Sequence, residues 1–167
     1  ADVDVEIERQ PAALRRGDRE LWSGLDLTVE PGELIAVLGP SGSGKTTLLR
    51  AVLGLDELSE GTITALGEPV RGRGNRRIGY VPQRAFLFTG TVASNLRFGR
   101  EDATDDELWQ ALEIAQGRDF VAVMDGGLDA RIAQGGTNVS GGQRQRLSIA
   151  RAIVHRPHVL VFDDSFS

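Results

Sequence analysis

The residues with the clearest chemistry lie between positions 39 and 47, where a glycine-rich stretch is followed by a lysine and two threonines. Two glycines with four residues between them, followed by Lys and Ser or Thr, form a pattern that holds nucleotide phosphates. Glycines let backbone N–H groups turn toward a phosphate, and the start of the next helix adds a positive dipole end. The pattern predicts these nucleotide-binding residues: Gly39, Pro40, Ser41, Gly42, Ser43, Gly44, Lys45, Thr46 and Thr47.

Lys45 is the only lysine among 19 basic residues. Its compact ammonium suits the β- and γ-phosphates of a nucleotide, a role for which the forked guanidinium of arginine is not equivalent. The hydroxyl of Thr46 is predicted to bind Mg²⁺. A glycine-rich turn that matches the pattern by chance is the alternative. The strand expected before the loop and the helix expected after it favour the phosphate-binding interpretation.

An acidic partner for this loop is expected after the apolar run at 159–162. Mg²⁺ bound to phosphates usually takes a protein hydroxyl together with a carboxylate. Asp163 follows the run, at the end of a strand where parallel sheets place ligand chemistry. Asp163 and Asp164 could instead only cap a turn. A phosphate loop in the same chain favours the metal role for Asp163.

Alternating strands and helices are predicted to position these residues. A period of two at 3–7 and 25–29 predicts two half-buried strands, joined by a polar loop over 10–20. The continuous apolar run at 34–38 predicts a strand buried on both faces, as in a parallel sheet. Three further strands are predicted at 61–66, 78–81 and 159–162, and three helices at 45–53, at 104–117 and from Ser140 to His155. This order of elements predicts an α/β fold.

Composition excludes several classes of site. The chain has no cysteine and two histidines, which leaves no disulfide, no cysteine zinc site and too few ligands for a histidine-built metal site. No apolar run approaches the roughly 20 residues that cross a bilayer, and the acidic first residues are unlike a signal peptide. As written, the sequence is that of a soluble domain.

Four motifs occur in order: the phosphate loop at 39–46, Tyr80-Val-Pro-Gln83, Val139-Ser-Gly-Gly-Gln143, and Val159 to Asp164. Together they resemble the nucleotide-binding domain of ATP-binding cassette (ABC) transporters. Ser-Gly-Gly-Gln shortly before the last motif is close to diagnostic of that family. The segment at 86–99 is similar to the exporter branch, in which the chain after the glutamine motif meets the transmembrane domain.

The resemblance implies an α/β fold with a P-loop NTPase-like parallel sheet core, a small N-terminal antiparallel β part and an α-helical subdomain over about residues 84–145. It covers nearly the whole chain, so residues 1–167 are expected to form a single ATP-binding domain. The sequence starts without Met and stops just after an apolar run. We therefore expect a piece of a longer protein, from which the C-terminal part of the domain is missing.

The resemblance also implies the cofactors ATP and Mg²⁺. Gln83 is expected to contact the metal and the attacking water, and the residue after Asp163 to act in catalysis. A second anion site is expected where a helix begins after Ser140, because the first N–H groups of a helix are free donors. In the family this site closes over the γ-phosphate held by a partner domain, and its residues here are Ser140, Gly141, Gly142 and Gln143.

Partners follow from the same resemblance. Two nucleotide-binding domains sandwich two ATP molecules, and a transmembrane domain, expected to be fused upstream, uses the closure for export. The domain is then expected at the cytoplasmic side of the cell membrane. No nucleic acid partner is expected, since 24 acidic residues against 19 basic ones leave a net charge of −5, whereas nucleic-acid-binding domains usually carry a basic stripe.

The chain departs from the family pattern at its catalytic position. Members that hydrolyse ATP well carry Glu directly after the metal-binding Asp, and here that position is Asp164. Aspartate is one methylene shorter, and a misplacement near 1 Å costs on the order of 100-fold in rate. We therefore expect slow hydrolysis at this chain's own site. The chain resembles the subunit with the weakened site in heterodimeric exporters, so a different subunit is the expected partner.

Two other departures concern coupling and adenine binding. Gln134 stands where many exporters carry a Glu that helps transmit to the membrane domain. The segment before Leu25 has no Tyr or Phe where the family stacks an aromatic ring on adenine. Trp22 is out of place for that role, and Arg15 or Arg16 could stack on the base instead.

Two alternative functions stay open at this point. A soluble ABC ATPase that acts on nucleic acid or ribosomes is disfavoured by the acidic charge and by the compact segment between Gln83 and Ser140. A regulatory module, in which ATP holds a dimer together and is not hydrolysed at this site, is favoured in part by Asp164.

Overall fold

The computed structural model describes residues 5–16, 19–65, 67–70 and 77–163. The chain divides into two compact units, Ala1–Asn75 and Arg76–Ser167, each with its own packing. None of the helices in these described ranges is both long and apolar enough to cross a bilayer.

In its described residues the first unit consists of an antiparallel sheet and one helix. Its four strands lie in the order β2-β1-β3-β4, and helix α1 packs against the sheet through Leu48 and Ala51. The elements are β1 (Val5–Arg16), β2 (Arg19–Val29), α1 (Lys45–Val52), β3 (Ile63–Ala65) and β4 (Glu68–Pro69). The predicted antiparallel N-terminal part is confirmed.

The predicted loop over 10–20 is wrong, because β1 continues to Arg16 and β2 already begins at Arg19. The register of this pair shifts after Ile7 and again on both sides of Leu14. Each shift adds one or more residues to one strand and interrupts the alternation of faces. Three successive residues, 12 to 14, are consequently buried, a pattern that the period of two does not detect.

The predicted strand at 34–38 is not formed. The side chains of Leu34 and Leu38 are 93% and 90% exposed, and none of the described strands pairs with the segment. An apolar run reports a preference for burial, but a strand also needs a neighbour for its backbone N–H and C=O groups. The run alone therefore could not predict this segment correctly.

The second unit contains the parallel strand pair. Strands β5 (Ile78–Val81) and β8 (Val159–Phe162) pair in parallel, with Ile78 opposite Val159 and Val81 opposite Phe162. Both strands have the bounds predicted from their apolar runs. A short antiparallel pair is formed by β6 (Gly90–Thr91) and β7 (Arg131–Ile132).

Four α-helices and two 3₁₀ turns make up much of the rest of the second unit over its described residues, 77–163. The helices are α2 (Val92–Leu96), α3 (Asp105–Ile114), α4 (Arg118–Ala122) and α5 (Gly141–Val154), and the turns are Gly127–Asp129 and Gln134–Gly136. Capping boxes begin α3 at Thr104 and α5 at Ser140. The helices share one buried cluster that includes Leu87, Leu108 and Leu147. Full burial of each such side chain contributes about 1.5–3 kcal/mol.

Candidate functional site

The phosphate loop leads directly into helix α1. Gly42 and Gly44 have φ values of +80° and +95°, which glycine adopts without a steric cost. Gly44 is the residue before the helix, and its carbonyl accepts the first helical hydrogen bond, from Leu48 N at 2.8 Å. The start of α1, like other helix N-termini, offers backbone N–H groups and a positive dipole end, which suit an anion.

Lys45 folds back over this loop. Its Nζ donates to the carbonyl oxygens of Gly39 at 2.7 Å and Pro40 at 3.1 Å. An ammonium group carries three N–H donors, so one more is available for a phosphate oxygen. The hydrogen bonds hold the charge beside the loop glycines, where the motif requires it. Thr46 is the second residue of α1.

Trp22 supports the loop from the sheet, a role that the sequence interpretation missed. A Cβ added at Gly44 would lie 3.1 Å from Cδ1 of Trp22 and 3.5 Å from Cβ of Leu21. The indole packs on the buried cluster of Leu14 and Leu48, and its Nε1 is buried with no hydrogen-bond partner among the residues that the structure describes. Trp22 therefore packs beside the start of α1 and does not form an exposed platform for a base.

Of the two arginines considered for adenine stacking, the structure describes the side chain of Arg15, and that side chain is paired with a carboxylate. Arg15 donates from Nη2 to Glu20 Oε2 at 3.2 Å, and the backbone N–H of Arg15 donates to Ser59 Oγ. The side chain of Arg16 lies outside the described residues.

The Ser-Gly-Gly-Gln motif forms the N-terminus of α5 in the second unit. Ser140 Oγ accepts from Gln143 N at 3.2 Å, and Gln143 Oε1 accepts from Ser140 N at 2.8 Å. Gly141 and Gly142 are exposed in the first turn. The side chain of Gln143 is thus used in capping, while the glycines present their N–H groups at a helix start.

Asp163 and Gln83 both lie just beyond the carboxyl ends of the parallel strands β5 and β8. Val81 lies opposite Phe162 at the ends of β5 and β8, and each of the two polar residues follows shortly after. Asp163 is 5% exposed, and its carboxylate accepts a hydrogen bond from Tyr80 OH at 3.2 Å. Gln83 is exposed. Of the two predicted catalytic residues, Gln83 and Asp164, the second lies outside the described residues.

Magnesium bound to a nucleotide makes modest demands on a protein. It keeps phosphate and water ligands and takes one or two carboxylate or hydroxyl oxygens. Within the described residues there is no cluster of three or more His, Asp or Glu side chains that could hold a metal alone. A buried carboxylate at a strand end, such as Asp163, offers the oxygen ligand that a nucleotide-bound Mg²⁺ takes from a protein. Thr46 offers a hydroxyl in the other unit.

An exposed aromatic patch follows the glutamine motif, and we define it as Phe86, Phe88 and Phe98. The rings of Phe88 and Phe98 stack with centroids 4.4 Å apart, and Phe86 meets Phe88 edge-on at 5.3 Å. The guanidinium of Arg151 lies 5.4 Å from the Phe88 centroid and donates to Phe86 O at 2.8 Å. Arg151 was not singled out from the sequence, although the segment at 86–99 was.

Comparison with protein families decides the identity of the chain. The family described as "ABC transporter" matches residues 22–167. The chain belongs to the ABC transporter family. Domains of this type bind and hydrolyse ATP.

Known ABC proteins are similar to the chain over most of its length. An uncharacterized ABC transporter ATP-binding protein of Mycobacterium tuberculosis is 47% identical over 157 residues, which cover 90% of this chain and 27% of that protein. A probable multidrug resistance ABC transporter ATP-binding/permease protein of Bacillus subtilis is 40% identical over 185 residues, covering 99% of this chain and 32% of the relative. The ABC domain thus spans roughly a third or less of these relatives.

A solved structure supports the same fold for the ABC domain. A bacterial Atm1-family ABC exporter with ATP bound has a TM-score of 0.88 and 32% identity to the chain. The match covers 99% of the chain and 30% of the exporter chain. The predicted α/β fold of an ABC nucleotide-binding domain is therefore confirmed.

Proposed function

We propose that this chain is the ATP-binding and ATP-hydrolysing domain of a membrane exporter, which it powers by ATP-driven dimerisation with a partner nucleotide-binding domain. The observation that carries the proposal is the phosphate loop at the start of α1, with Lys45 held on the carbonyls of Gly39 and Pro40. The names of the similar proteins support the exporter assignment.

ATP and Mg²⁺ are the proposed cofactors. Residues 39–47 would hold the phosphates, and Thr46, Gln83 and Asp163 would offer oxygens to the metal. When bound, Mg²⁺ neutralises phosphate charge during transfer of the terminal phosphoryl group to water. The loop N–H groups and Lys45 orient the phosphates, and Gln83 orients the attacking water.

The proposed dimer contact is the N-terminus of α5. Its first turn carries exposed Gly141 and Gly142 after the capping residue Ser140. Because this turn offers N–H donors, it suits the γ-phosphate of an ATP held by the partner domain. ATP would then favour the closed dimer, and its hydrolysis would remove that bias, as expected for a two-state switch.

We propose slow ATP hydrolysis at the chain's own site because Asp164 stands where a Glu is usual. The carboxylate of Asp is one methylene shorter than that of Glu, so it reaches less far toward the attacking water. A partner subunit with a Glu at this position would supply a competent site, and the Ser140 motif would serve that site from this side. A heterodimer is the arrangement that this asymmetry favours.

A transmembrane domain is the proposed partner of the aromatic patch. Phe86, Phe88 and Phe98 are exposed next to Arg151, and exposed aromatic clusters mark interaction surfaces. The segment also belongs to the exporter-like stretch of the sequence. The proposed location is the cytoplasmic side of the cell membrane, with the transmembrane domain in the same polypeptide.

A regulatory role at this site is the second candidate function, and the residue that favours it is Asp164. In that case ATP holds the dimer closed and turnover takes place at the partner's site. Single-turnover hydrolysis by the complete dimer, with the phosphate-loop lysine mutated in each subunit separately, distinguishes the two. Loss of turnover only when the partner's lysine is mutated supports regulation.

The proposed catalytic role is tested with two matched substitutions in the complete transporter. Asp164→Glu should raise ATP turnover at this site on the order of 100-fold, since the longer carboxylate reaches the water. Asp163→Glu makes the same chemical change one residue earlier and should lower turnover. An unchanged rate for Asp164→Glu contradicts the slow-site proposal.

ATP binding itself is tested with Lys45→Ala. The dissociation constant for ATP, measured by calorimetry, should rise about tenfold or more, because a charge-assisted contact to the phosphates is lost. Equal affinities of the parent and the variant would rule out the phosphate-binding role of the loop.

A further inference from the structure

Tyr80 and Asp163 are joined across the parallel strand pair. Tyr80 OH donates to Asp163 Oδ2 at 3.2 Å, and Asp163 N donates to Val81 O at 3.0 Å. The two residues are 83 positions apart in the sequence. Side chain and backbone of Asp163 are therefore both tied to β5.

The strand register explains why these two side chains meet. Tyr80 lies opposite Val161, and Asp163 is two residues further along the same strand direction. Alternate residues of a strand point to the same face of the sheet. Tyr80, Val161 and Asp163 thus share one face of the sheet. Asp163 lies two residues beyond Val161, the residue opposite Tyr80, toward the carboxyl ends of the strands.

We propose that Tyr80 is a positioning residue for the nucleotide-bound metal: its hydroxyl fixes the orientation of the Asp163 carboxylate. This inference rests on the proposed function, in which Asp163 binds Mg²⁺. A carboxylate on a single Cβ can rotate about two bonds, and a hydroxyl donor to one oxygen selects one rotamer. Packing on the sheet face requires only the aromatic ring, which phenylalanine would also supply.

The expected loss of metal affinity in a Tyr80 variant can be taken from other metal sites. Removing a group that holds a metal ligand in place typically lowers metal affinity by about 10–100-fold. Here the lost group is one neutral hydroxyl, so we expect the lower end of that range. Binding of metal-free ATP should not depend on Tyr80, because the phosphate loop supplies those contacts.

The test compares Tyr80→Phe with the parent in the complete transporter. ATP affinity is measured at a series of Mg²⁺ concentrations and in EDTA, and Mn²⁺ bound to the ATP-loaded protein is followed by electron paramagnetic resonance. The metal concentration for half-maximal ATP binding should rise about tenfold, and affinity in EDTA should stay within about twofold. Mn²⁺ should bind correspondingly more weakly.

Two further variants make the result specific. Val161→Ala loosens the same sheet face without removing the hydrogen bond, so it should lower the melting temperature and leave the metal requirement unchanged. Asp163→Asn should raise the metal requirement, and adding Tyr80→Phe to it should have no further effect. Additivity of the two substitutions would overturn the proposal.

The remaining outcomes separate the inference from its premise. If Tyr80→Phe weakens ATP binding equally in Mg²⁺ and in EDTA, or only lowers the melting temperature, Tyr80 has a purely structural role and the inference is wrong. If Asp163→Asn itself leaves the metal requirement unchanged, the metal role of Asp163 fails, and the inference fails with it.

Discussion

The indole ring of Trp22 closes the space beside Gly44. A Cβ added to this glycine would lie 3.1 Å from Trp22 Cδ1, and Gly44 itself has a φ of +95° at the start of α1. Two independent constraints, one on the backbone and one on the space, therefore require glycine at this position. Both act where the phosphate loop becomes a helix.

Gly44→Ala should destabilise the chain and weaken ATP binding. A non-glycine residue in the left-handed region costs about 1–2 kcal/mol, and the contact with the rigid indole adds to that cost. Urea unfolding measures the change in stability, and calorimetry measures the affinity for ATP.

Gly24→Ala is the matched control for Gly44→Ala. Gly24 has a φ of +69°, and apart from its chain neighbours no described residue has an atom within 4 Å of an added Cβ, so Gly24→Ala carries the conformational cost alone. Combining Gly44→Ala with Trp22→Leu should recover part of the lost stability. Equal destabilisation by the two alanine substitutions would mean that Trp22 does not constrain the loop.

Glu107 makes the stability of the second unit depend on pH. Hydrogen bonds from the Arg100 side chain at 2.7 and 2.9 Å and from Thr104 N at 2.9 Å lower the pKa of Glu107 from 4.5 to about 2. A lowered carboxyl pKa stabilises the folded chain fully above about pH 4.5, and this contribution is lost as the pH falls toward 2. Glu107→Gln should therefore be less stable than the parent at pH 7, with a difference that narrows below pH 4.5.

Thermal unfolding of the parent and Glu107→Gln from pH 7 down to about pH 2 measures the difference in stability between them. Glu113→Gln on the same helix is the control, because Glu113 is mostly exposed and meets Arg118 at 3.4 Å. Its effect at pH 7 should be smaller, as exposed ion pairs are weak. If the stability difference between the parent and Glu107→Gln stays constant down to pH 4 and below, the pKa of Glu107 is not lowered as described.

Asn95 is the buried polar link between α2 and the aromatic patch. It is 1% exposed; its Nδ2 donates to Phe88 O at 2.8 Å and Thr91 O at 3.0 Å, and its Oδ1 accepts from Phe88 N at 2.8 Å. Asn95→Ala removes the buried side chain that pairs with the N–H and C=O of Phe88, whereas Thr91 O keeps its bond from Ser94 Oγ at 3.0 Å. The free energy of unfolding should fall by about 3 kcal/mol.

Asn138 provides a close comparison for Asn95. It makes the same type of contacts, accepting from Ala133 N at 2.9 Å and donating to Arg131 O at 2.8 Å, but at an exposed position. Water can replace these bonds, so Asn138→Ala should cost about 1 kcal/mol. Chemical denaturation of both variants gives the two values, and similar costs would contradict the role assigned to burial.

The aromatic patch should matter for coupling and not for folding. Phe98→Ser removes an exposed ring, so stability should change by about 0.5 kcal/mol or less and ATP affinity should be unaffected. In the complete transporter, ATP-dependent transport should fall sharply if the patch contacts the transmembrane domain. Val123→Ser, an exposed apolar position outside the patch, should leave transport intact, and equal transport by the two variants would remove the patch from the coupling surface.

Local patterns predicted much of the second unit correctly. The bounds of β5 and β8 match their apolar runs, and the capping boxes at Thr104 and Ser140 mark the helix starts that the structure has. A cap or a short buried strand depends on residues within a few positions of each other. Such elements are therefore readable without a three-dimensional structure.

The first unit shows where local patterns fail. The lengths of β1 and β2 could not be predicted from the period of two, because register shifts interrupt the alternation of buried and exposed residues. The run at 34–38 is apolar but unpaired among the described strands. In both cases the outcome depends on which backbone lies alongside, and no local pattern contains that information.

The candidate site likewise has features set by local sequence and features set by contacts between distant segments. The local positions of the phosphate loop, the Ser-Gly-Gly-Gln helix start and Asp163 at a strand end were all predictable, because each motif needs only its own neighbouring residues to form. The contacts of Trp22 with Gly44 and of Tyr80 with Asp163 were not, since each joins segments far apart in the chain. Strand register and packing bring those segments together, and a register shift of one residue would turn each side chain to the opposite face.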